Sequence, residues 1–322
     1  MKRRNFIKTA GAVTAGVMFK GSEISAMSSR KANIPAKEIT SMVKLGKTDL
    51  NVSRIGFGGI VVMNAEPETA ANAVKFAIEK GINYFDVAPS YGNAEEKLGP
   101  ALAPYRKDVY LACKSHLRDA KGTKKLLDES LEKLQTDHFD VYQLHGITDV
   151  EKDVKASFAK GGAMETILEA KKNGIIRYVG FSAHTPEAAL AAMDLYDFDT
   201  IMYPVNFCTH FNSRHEEAAL AEAKKRGMGI IALKTMAWQK WQNDEDKKKY
   251  PKCWYMPLDD PEKARLALSW TLEQGANIAI PPGEEALFRL CVSNLPRAGK
   301  LSAQETKILS DLAAESEPIF TA

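Results

Sequence analysis

The sequence predicts a (β/α)8 barrel, preceded by a short hairpin and followed by an extra helix. From Val43 onward, short runs of β-branched and aromatic residues alternate with stretches that have apolar residues at helical spacing. The alternation repeats about eight times over about 240 residues, which is the usual rhythm of this barrel. A doubly wound open sheet is the alternative, because it shows the same alternation.

The first half of the chain supplies the hairpin and four strand-helix units. Leu45–Leu50 is predicted to be the hairpin, because Gly46 and Asp49 supply turn residues. Gly81 directly follows a helical run and marks the end of that helix. The predicted strands are Val52–Gly59, Tyr84–Val87, Asp108–Cys113 and Phe139–Leu144, and the helices are Thr69–Lys80, Ala94–Leu102, Thr123–Leu134 and Gly162–Asn173.

The second half repeats this scheme. Thr185 is a suitable helix cap, since Pro186 follows at the first helical position. The predicted strands are Tyr178–Phe181, Thr200–Val205, Gly229–Leu233 and Asn277–Ile280, and the helices are Pro186–Leu195, His215–Arg226, Pro261–Glu273 and Glu284–Ser293. A tail helix at Ala303–Ala314 is expected to pack against the outside of the barrel.

Two predicted connections are longer than a barrel needs, Ile147–Gly161 and Thr235–Asp260. Both leave the C-terminal rim, where barrel active sites lie, and are therefore candidates for shaping a pocket. The second contains Trp254 and Tyr255 among many charged residues. Such aromatic residues either close over a ligand or anchor the loop to the barrel.

Composition narrows the class of protein. The 322 residues are 45% hydrophobic and 26% charged, which is typical of a globular protein with an ample core. The formal charge of +3 comes without a basic stripe carrying interleaved aromatic residues, so nucleic acid is not an expected partner. The four cysteines form no CxxC pair or metal-like cluster, which favours free thiols and no metal site.

Residues 1–42 are interpreted as an export signal and linker, and 43–322 as the barrel domain. The apolar run Thr9–Phe19 is too short for stable insertion into a membrane, and Ile24–Ala26 offers small residues for cleavage. The order Arg-Arg-Asn-Phe-Ile-Lys at 3–8 resembles the twin-arginine motif. The resemblance implies the twin-arginine export machinery as a partner and a periplasmic location. The alternative is a basic tail on a cytoplasmic protein.

Four polar residues lie at the ends of predicted strands two, three and four or shortly after them: Asp86, Tyr91, Lys114 and His145. Neighbouring strands lie about 4.8 Å apart, so side chains from adjacent strand ends can meet around one small volume. A phenol titrates near pH ~10 and needs a cationic neighbour to act as an acid near neutrality. Lys114 is the predicted neighbour of Tyr91.

These residues, with the run Phe-Asp-Val-Ala-Pro-Ser-Tyr-Gly at 85–92, resemble the catalytic tetrad of the aldo-keto reductases. The resemblance covers about Val43–Asn294 and implies an NAD(P)-dependent oxidoreductase that reduces an aldehyde or ketone. Tyr91 would then donate the proton. Lys114, held by Asp86, would lower the pKa of Tyr91, and His145 would orient the carbonyl.

The resemblance places the nicotinamide cofactor after strands five to eight, where the match is partial. Ser182 is kept, but Ala183 stands where the family usually has Asn, Met202 where it has Gln, and Leu233 where it has a stacking aromatic residue. Lys234 is expected to reach the pyrophosphate instead. The predicted cofactor contacts are Ser182, Asn206, Lys234, Gly283 and Arg289.

The choice between NADP and NAD stays open at this point. Glu284 and Glu285 at a helix start suit the helix dipole and would repel a 2′-phosphate. Arg289, one turn later, would attract it. Family habit gives a slight preference for NADP.

Two other functions are compatible with the same barrel fold. One is a non-catalytic sensor or binding protein that holds nicotinamide, which the partial cofactor match favours. The other is a lyase with Lys114 or Lys234 as a Schiff-base nucleophile. The lyase is disfavoured because Lys114 already has a role beside Tyr91.

Overall fold

Eight strands form one parallel sheet in this computed structural model, which describes residues 41–320. In chain order, β1 to β8 are Phe57–Gly58, Tyr84–Asp86, Tyr110–Ser115, Phe139–Ile147, Ile176–Ala183, Thr200–Pro204, Gly229–Leu233 and Ile278–Ala279. The helices that follow them in turn are Pro67–Glu79, Ala94–Leu102, Ala120–Lys133, Ala163–Lys172, Pro186–Leu195, Glu217–Lys225, Pro261–Glu273 and Glu285–Asn294.

The sheet closes between its first and last strands. Each strand pairs with its neighbour in chain order, from β1 through to β8. Ile55, just before β1, bridges Ala279 in β8. Two backbone hydrogen bonds support the bridge, from Gly56 N to Ala279 O at 3.0 Å and from Ala279 N to Arg54 O at 2.9 Å. The predicted (β/α)8 barrel is confirmed, and the doubly wound alternative is excluded because it would leave two unpaired sheet edges.

A hairpin of Met42–Lys44 and Asn51–Ser53 closes the N-terminal end of the barrel. Gly46 in its turn has a φ of +53°, and a Cβ there would lie 2.2 Å from Gly229 N, so the turn needs glycine. The hairpin buries three apolar side chains against the inward-facing residues of the barrel, namely Leu45, Leu50 and Val52.

The extent predicted for the first strand, Val52–Gly59, is wrong. Its first residues belong to the hairpin, and only Phe57–Gly58 pairs within the barrel. The Ser53 hydroxyl donates to the Ile55 carbonyl at 2.7 Å, which holds a local turn between the two strands. The single apolar run Val52–Gly59 therefore contributes residues to two different sheets.

The remaining helices end or begin at local signals in the sequence. The Thr185 hydroxyl accepts from Ala188 N, so the predicted cap is confirmed. The predicted helix His215–Arg226 is shorter, at Glu217–Lys225, and a separate helix, Phe207–Ser213, precedes it. The tail helix Ala303–Ala314 forms as predicted and packs on helices Phe207–Ser213 and Pro261–Glu273.

Both long connections contain regular structure. The first holds a wide helical turn, Val150–Lys155, followed by Ala156–Phe158. The second holds a strand pair, Ala237–Gln239 with Met256–Pro257, and a short helix, Asp244–Lys247. The strand pair anchors a loop that passes over the C-terminal rim of the barrel. Within residues 41–320, no helix has the length and apolar character that crossing a bilayer requires.

Candidate active site

A buried ion pair lies at the C-terminal end of strands β2 and β3. Lys114 Nζ is 2.5 Å from Asp86 Oδ2 and donates to Val87 O at 3.2 Å. Both side chains are almost fully buried. Burial alone would lower the pKa of Lys114, but the charges of Asp86 and Tyr91 raise it above its usual value. The ammonium is therefore charged at neutral pH.

Tyr91 lies directly above this pair. Lys114 Nζ is 5.3 Å from the centroid of the Tyr91 ring. The chain reaches this position through a turn in which Tyr91 N donates to Ala88 O, and Gly92 then takes a φ of +56°. Burial raises the pKa of the Tyr91 phenol and the charge of Lys114 acts in the opposite direction. The sequence predicted that Lys114 lowers the pKa of Tyr91, but it did not predict the larger and opposite effect of burial.

His145 completes the group at the end of β4. Its ring lies edge-on to Tyr91, with 5.6 Å between the centroids. Ser90 Oγ is 3.3 Å from His145 Nδ1, and Arg118 donates to the His145 carbonyl at 2.9 Å. Burial, and then the charges of Lys114 and its neighbours, lower the pKa of His145 to about 2. The imidazole is therefore neutral at physiological pH.

These residues open into a cavity of about 280 Å³ at the C-terminal rim. That volume is near the lower end of small-molecule pockets, which span about 300–1,000 Å³. Asp86, Tyr91 and His145 line one side, and Lys114 lies buried beneath them. The opposite side is formed by residues that follow β7 and β8, among them Lys234 and Gly283.

Three of the five predicted cofactor residues line this cavity: Ser182, Lys234 and Gly283. Ser182 Oγ accepts from Gly146 N at 2.7 Å, which ties the end of β5 to the residue after His145. A Cβ on Gly283 would lie 2.3 Å from Ile60 Cγ2, so only glycine permits this close packing. Met202 and Leu233, which replace the expected Gln and aromatic residue, also face the cavity.

The structure does not bring Asn206 or Arg289 into the cavity. The amide of Asn206 donates to Lys234 O at 2.9 Å and to Ala237 O at 2.6 Å, and its oxygen caps the next helix. Asn206 thus holds the backbone of the segment that carries Lys234. Arg289 is bonded to Glu285 and lies 4.0 Å from the Phe76 ring centroid.

Lys234 has an unusual setting. Its backbone is left-handed, with φ +66°, a conformation that costs a non-glycine residue about 1–3 kcal/mol. Its Nζ is 4.9 Å from the ring centroids of both Trp254 and Tyr255. Burial lowers the pKa of Lys234 to about 8, and no carboxylate within residues 41–320 forms an ion pair with it. A strained, desolvated cation facing a cavity is suited to an anionic ligand.

Sequence reasoning missed several residues of the cavity. His184 lines it, two residues after Ser182, and its Nδ1 is buried without a hydrogen-bond partner among the described residues. Lys252 and Trp254 reach it from the long loop after β7. The signals available were the His that follows the Ser-Ala pair and the Lys-Cys-Trp-Tyr run of that loop, but neither fixes a loop conformation.

The chain shows sequence similarity to a family of oxidoreductases. The model of the aldo/keto reductase family matches residues 54–286. An uncharacterized oxidoreductase, YqkF, from Bacillus subtilis is 33% identical over 54% of this chain and 58% of its own. L-galactose dehydrogenase from Arabidopsis thaliana is 29% identical, over 60% of this chain and 64% of its own. The chain thus matches less than two thirds of the length of these two relatives.

A relative that matches over more of its length, and a solved structure of similar fold, were also found. Methylglyoxal reductase DkgB from Escherichia coli O157:H7 is 26% identical over 79% of this chain and 91% of its own. The holo form of aldo-keto reductase AKR11C1 from Bacillus halodurans superposes with a TM-score of 0.67 at 23% identity, covering 87% of this chain and 98% of that one. The structural likeness shows the fold, and the family model covers well over half of the sequence. This chain therefore belongs to the aldo/keto reductase family.

Proposed function

We propose that this protein is an oxidoreductase that reduces an aldehyde or ketone with a nicotinamide cofactor, and that Tyr91 is the proton donor. The observation that carries the proposal is the buried Lys114–Asp86 pair directly beneath a phenol that faces the cavity. A reduced nicotinamide, when bound, supplies the hydride. The substrate is a small carbonyl compound, in keeping with the size of the cavity.

The protonation states of Tyr91, Lys114 and His145 indicate the role of each residue in the reaction. The Tyr91 phenol carries its proton at neutral pH and can give it to a carbonyl oxygen, while the Lys114 ammonium stabilises the phenolate that forms. Asp86 keeps Lys114 charged. With the Ser90 hydroxyl donating to His145 Nδ1, the other ring nitrogen carries the proton and can donate to the same carbonyl oxygen.

The residues around the cavity suit a nicotinamide dinucleotide. Gly58 and Gly283 present no side chains to the cavity, so a planar ligand can approach their backbone. Lys234 provides a cation without a carboxylate partner in the described chain, and Lys252 provides another that is held by Val61 O at 2.8 Å. We assign the pyrophosphate to these lysines. Ser182 faces the same cavity and is assigned to the nicotinamide end.

NADP is the proposed preference, by a small margin over NAD. Arg289 Nε donates to Glu285 at 2.8 Å, so the cation that would select NADP is already neutralised. Glu284 accepts from Lys252 N at 2.7 Å and is also engaged. We therefore expect weak discrimination in the native chain.

Replacing Glu285 by Gln should free Arg289 and shift the preference towards NADP several-fold. At roughly 6 Å and an effective dielectric of about 20 to 80, one unit charge is worth about 0.7 to 2.8 kcal/mol before screening. The measurement is the ratio of NADP(H) to NAD(H) dissociation constants. Glu262→Gln is the control, since Glu262 binds Arg265 and Arg297 away from the cavity. An unchanged ratio in Glu285→Gln would place the 2′-phosphate elsewhere.

We also propose that residues 1–42 are a twin-arginine signal and linker, and that 43–322 form a barrel domain exported to the periplasm. Residues 1–40 lie outside the described part of the chain, so the support is the sequence itself. Twin-arginine export carries folded proteins, which suits an enzyme that takes up its cofactor before export.

Substituting both Arg3 and Arg4 by Lys is expected to hold the protein in the cytoplasm as a folded, full-length, cofactor-loaded chain. The pair would be read by the exporter and contribute nothing to the barrel. Cell fractionation with immunodetection measures this. If the native chain also stays cytoplasmic and full length, the segment is only a basic tail.

A further inference from the structure

A layer of polar residues lies directly beneath the floor of the cavity. Residues two apart on a strand face the same side, so the residue two before a cavity-lining residue lies one step deeper. These deeper residues are Tyr84 before Asp86, Gln143 before His145, Gly180 before Ser182, and Thr200 before Met202. The strand register aligns three of these residues, because Gln143 pairs with Gly180 and Gly180 pairs with Thr200. Gln143 pairs on its other side with Lys114.

The layer also includes the buried Oδ1 of Asp86, which lines the cavity two residues after Tyr84. The polar atoms of this layer lack protein partners. Both amide atoms of Gln143, the Thr200 hydroxyl, the Tyr84 phenol and Asp86 Oδ1 are buried and form no hydrogen bond with any group in residues 41–320. Gln143, Thr200 and Tyr84 are fully buried side chains. A buried polar group without a partner forfeits its hydration, and native proteins rarely tolerate several such groups together.

Water is the ligand that this set of atoms suits. The layer offers donors from Gln143, Thr200 and Tyr84, and acceptors from Gln143 and Asp86, and a water molecule pairs with both kinds. A cation is a poor match, because the only carboxylate of the layer, Asp86, is already paired with Lys114. Proteins hold on the order of one buried water per ~27 residues, usually with about three hydrogen bonds each.

Gly180 fits the same interpretation. A Cβ at Gly180 would lie 2.1 Å from Thr200 Oγ1 and 3.3 Å from Gln143 Cγ. The glycine therefore lets these two polar side chains approach each other over the strand between them. Thr200 pairs with Gly180 and lies two residues before the cavity-lining Met202, so its hydroxyl faces the inside of the barrel.

We propose that this layer binds ordered water beneath the cavity, and that Gln143 acts through that water as a positioning residue for the Lys114–Asp86 pair. Asp86 uses one oxygen for Lys114, and its other oxygen needs a donor that the layer can supply only through an intervening molecule. A carboxylate fixed in this way keeps Lys114 charged and in place under Tyr91. The water site stands on geometry alone, whereas the positioning role rests on the proposed function.

The test compares two substitutions on β4 in the full-length protein. Gln143→Met removes the amide and keeps the length of the side chain. Tyr142→Phe is the matched control, because Tyr142 is fully buried and its phenol also lacks a partner among the described residues, but it faces the opposite side of the strand. A high-resolution crystal structure, thermal unfolding and the Tyr91 titration are the readouts.

We expect electron density for water within hydrogen-bond distance of the Gln143 amide. Gln143→Met should lower the melting temperature, raise the pKa of Tyr91 and reduce kcat by roughly 2- to 10-fold, the equivalent of one hydrogen bond. The Tyr91 pKa is read from the difference in absorbance between each chain and the same chain carrying Tyr91→Phe. Tyr142→Phe should leave that pKa and kcat unchanged.

A dry layer, together with a higher melting temperature in Gln143→Met, would overturn the water site, because removing an unpaired amide would then relieve a cost. Water at Gln143 with an unmoved Tyr91 titration would overturn the positioning role. If the native chain turns over no carbonyl compound, the proposed function fails. The crystal structure and the melting temperatures still show whether the layer binds water, and the titration still shows whether Gln143 affects the pKa of Tyr91.

Discussion

Replacing Tyr91 by Phe is expected to lower the rate of carbonyl reduction by roughly 10²–10⁴-fold, the usual contribution of a general acid. The phenylalanine ring keeps the shape of the cavity, and only the ionisable oxygen is lost. Because the phenol is proposed to act on the substrate, the dissociation constant of the cofactor should stay close to the native value. Steady-state kinetics with a panel of small aldehydes, and a fluorescence titration with reduced cofactor, measure the two quantities.

The pH dependence provides a second check on the same residue. Tyr91 must be protonated to act as an acid, and burial raises its pKa. Carbonyl reduction by the native protein should therefore fall only in the alkaline range, as the phenol loses its proton, and this decline should vanish in Tyr91→Phe. Tyr178→Phe is the control, since its phenol bonds Asp49 at 2.9 Å in the N-terminal hairpin. Near-native turnover in Tyr91→Phe would remove it as the proton donor.

The proposed catalytic group could be predicted from the sequence because it depends on strand ends. Asp86 ends β2, and Lys114 and His145 lie within the last three residues of β3 and β4. These strands are visible in the sequence as short apolar runs, and closure of the sheet brings their ends together. The identity of Lys114 as an ion-pair partner follows from the same geometry. That pairing keeps Lys114 protonated and removes it as the amine nucleophile of a lyase.

The cofactor contacts were harder to predict from the sequence, because they depend on how distant loops pack against each other. Nothing local in the sequence shows that the Asn206 amide turns away from the cavity to hold the backbone at Lys234 and Ala237. Similarly, the pairing of Arg289 with Glu285 competes with any role towards a phosphate, and an i to i+4 spacing alone does not decide between the two. The placement of Trp254 over Lys234 requires a loop conformation that no short-range pattern encodes.

Breaking the buried ion pair should have the largest effect on stability. Asp86→Asn leaves the Lys114 ammonium buried without its anion, which typically costs about 3–5 kcal/mol in the free energy of unfolding. The double variant Asp86→Asn with Lys114→Met removes both charges and should be more stable than the single variant. Denaturant unfolding of the three chains measures this. Both variants should also lose most carbonyl reduction, since Tyr91 then lacks its cationic neighbour.

The sign of the pH dependence follows from the pKa of Lys114. In the native chain this pKa is raised, so the stabilisation is full below the unfolded value of about 10.4 and is lost as the pH rises through the folded value. In Asp86→Asn, burial disfavours the charged form of Lys114. The difference in the free energy of unfolding between this variant and the native chain should therefore narrow as the pH rises. Asp128→Asn is the control, because the Lys124–Asp128 pair is 59% and 55% exposed and should matter by less than about 1 kcal/mol. Equal losses at the buried and the exposed pair would contradict the assignment of Asp86 and Lys114 as a desolvated unit.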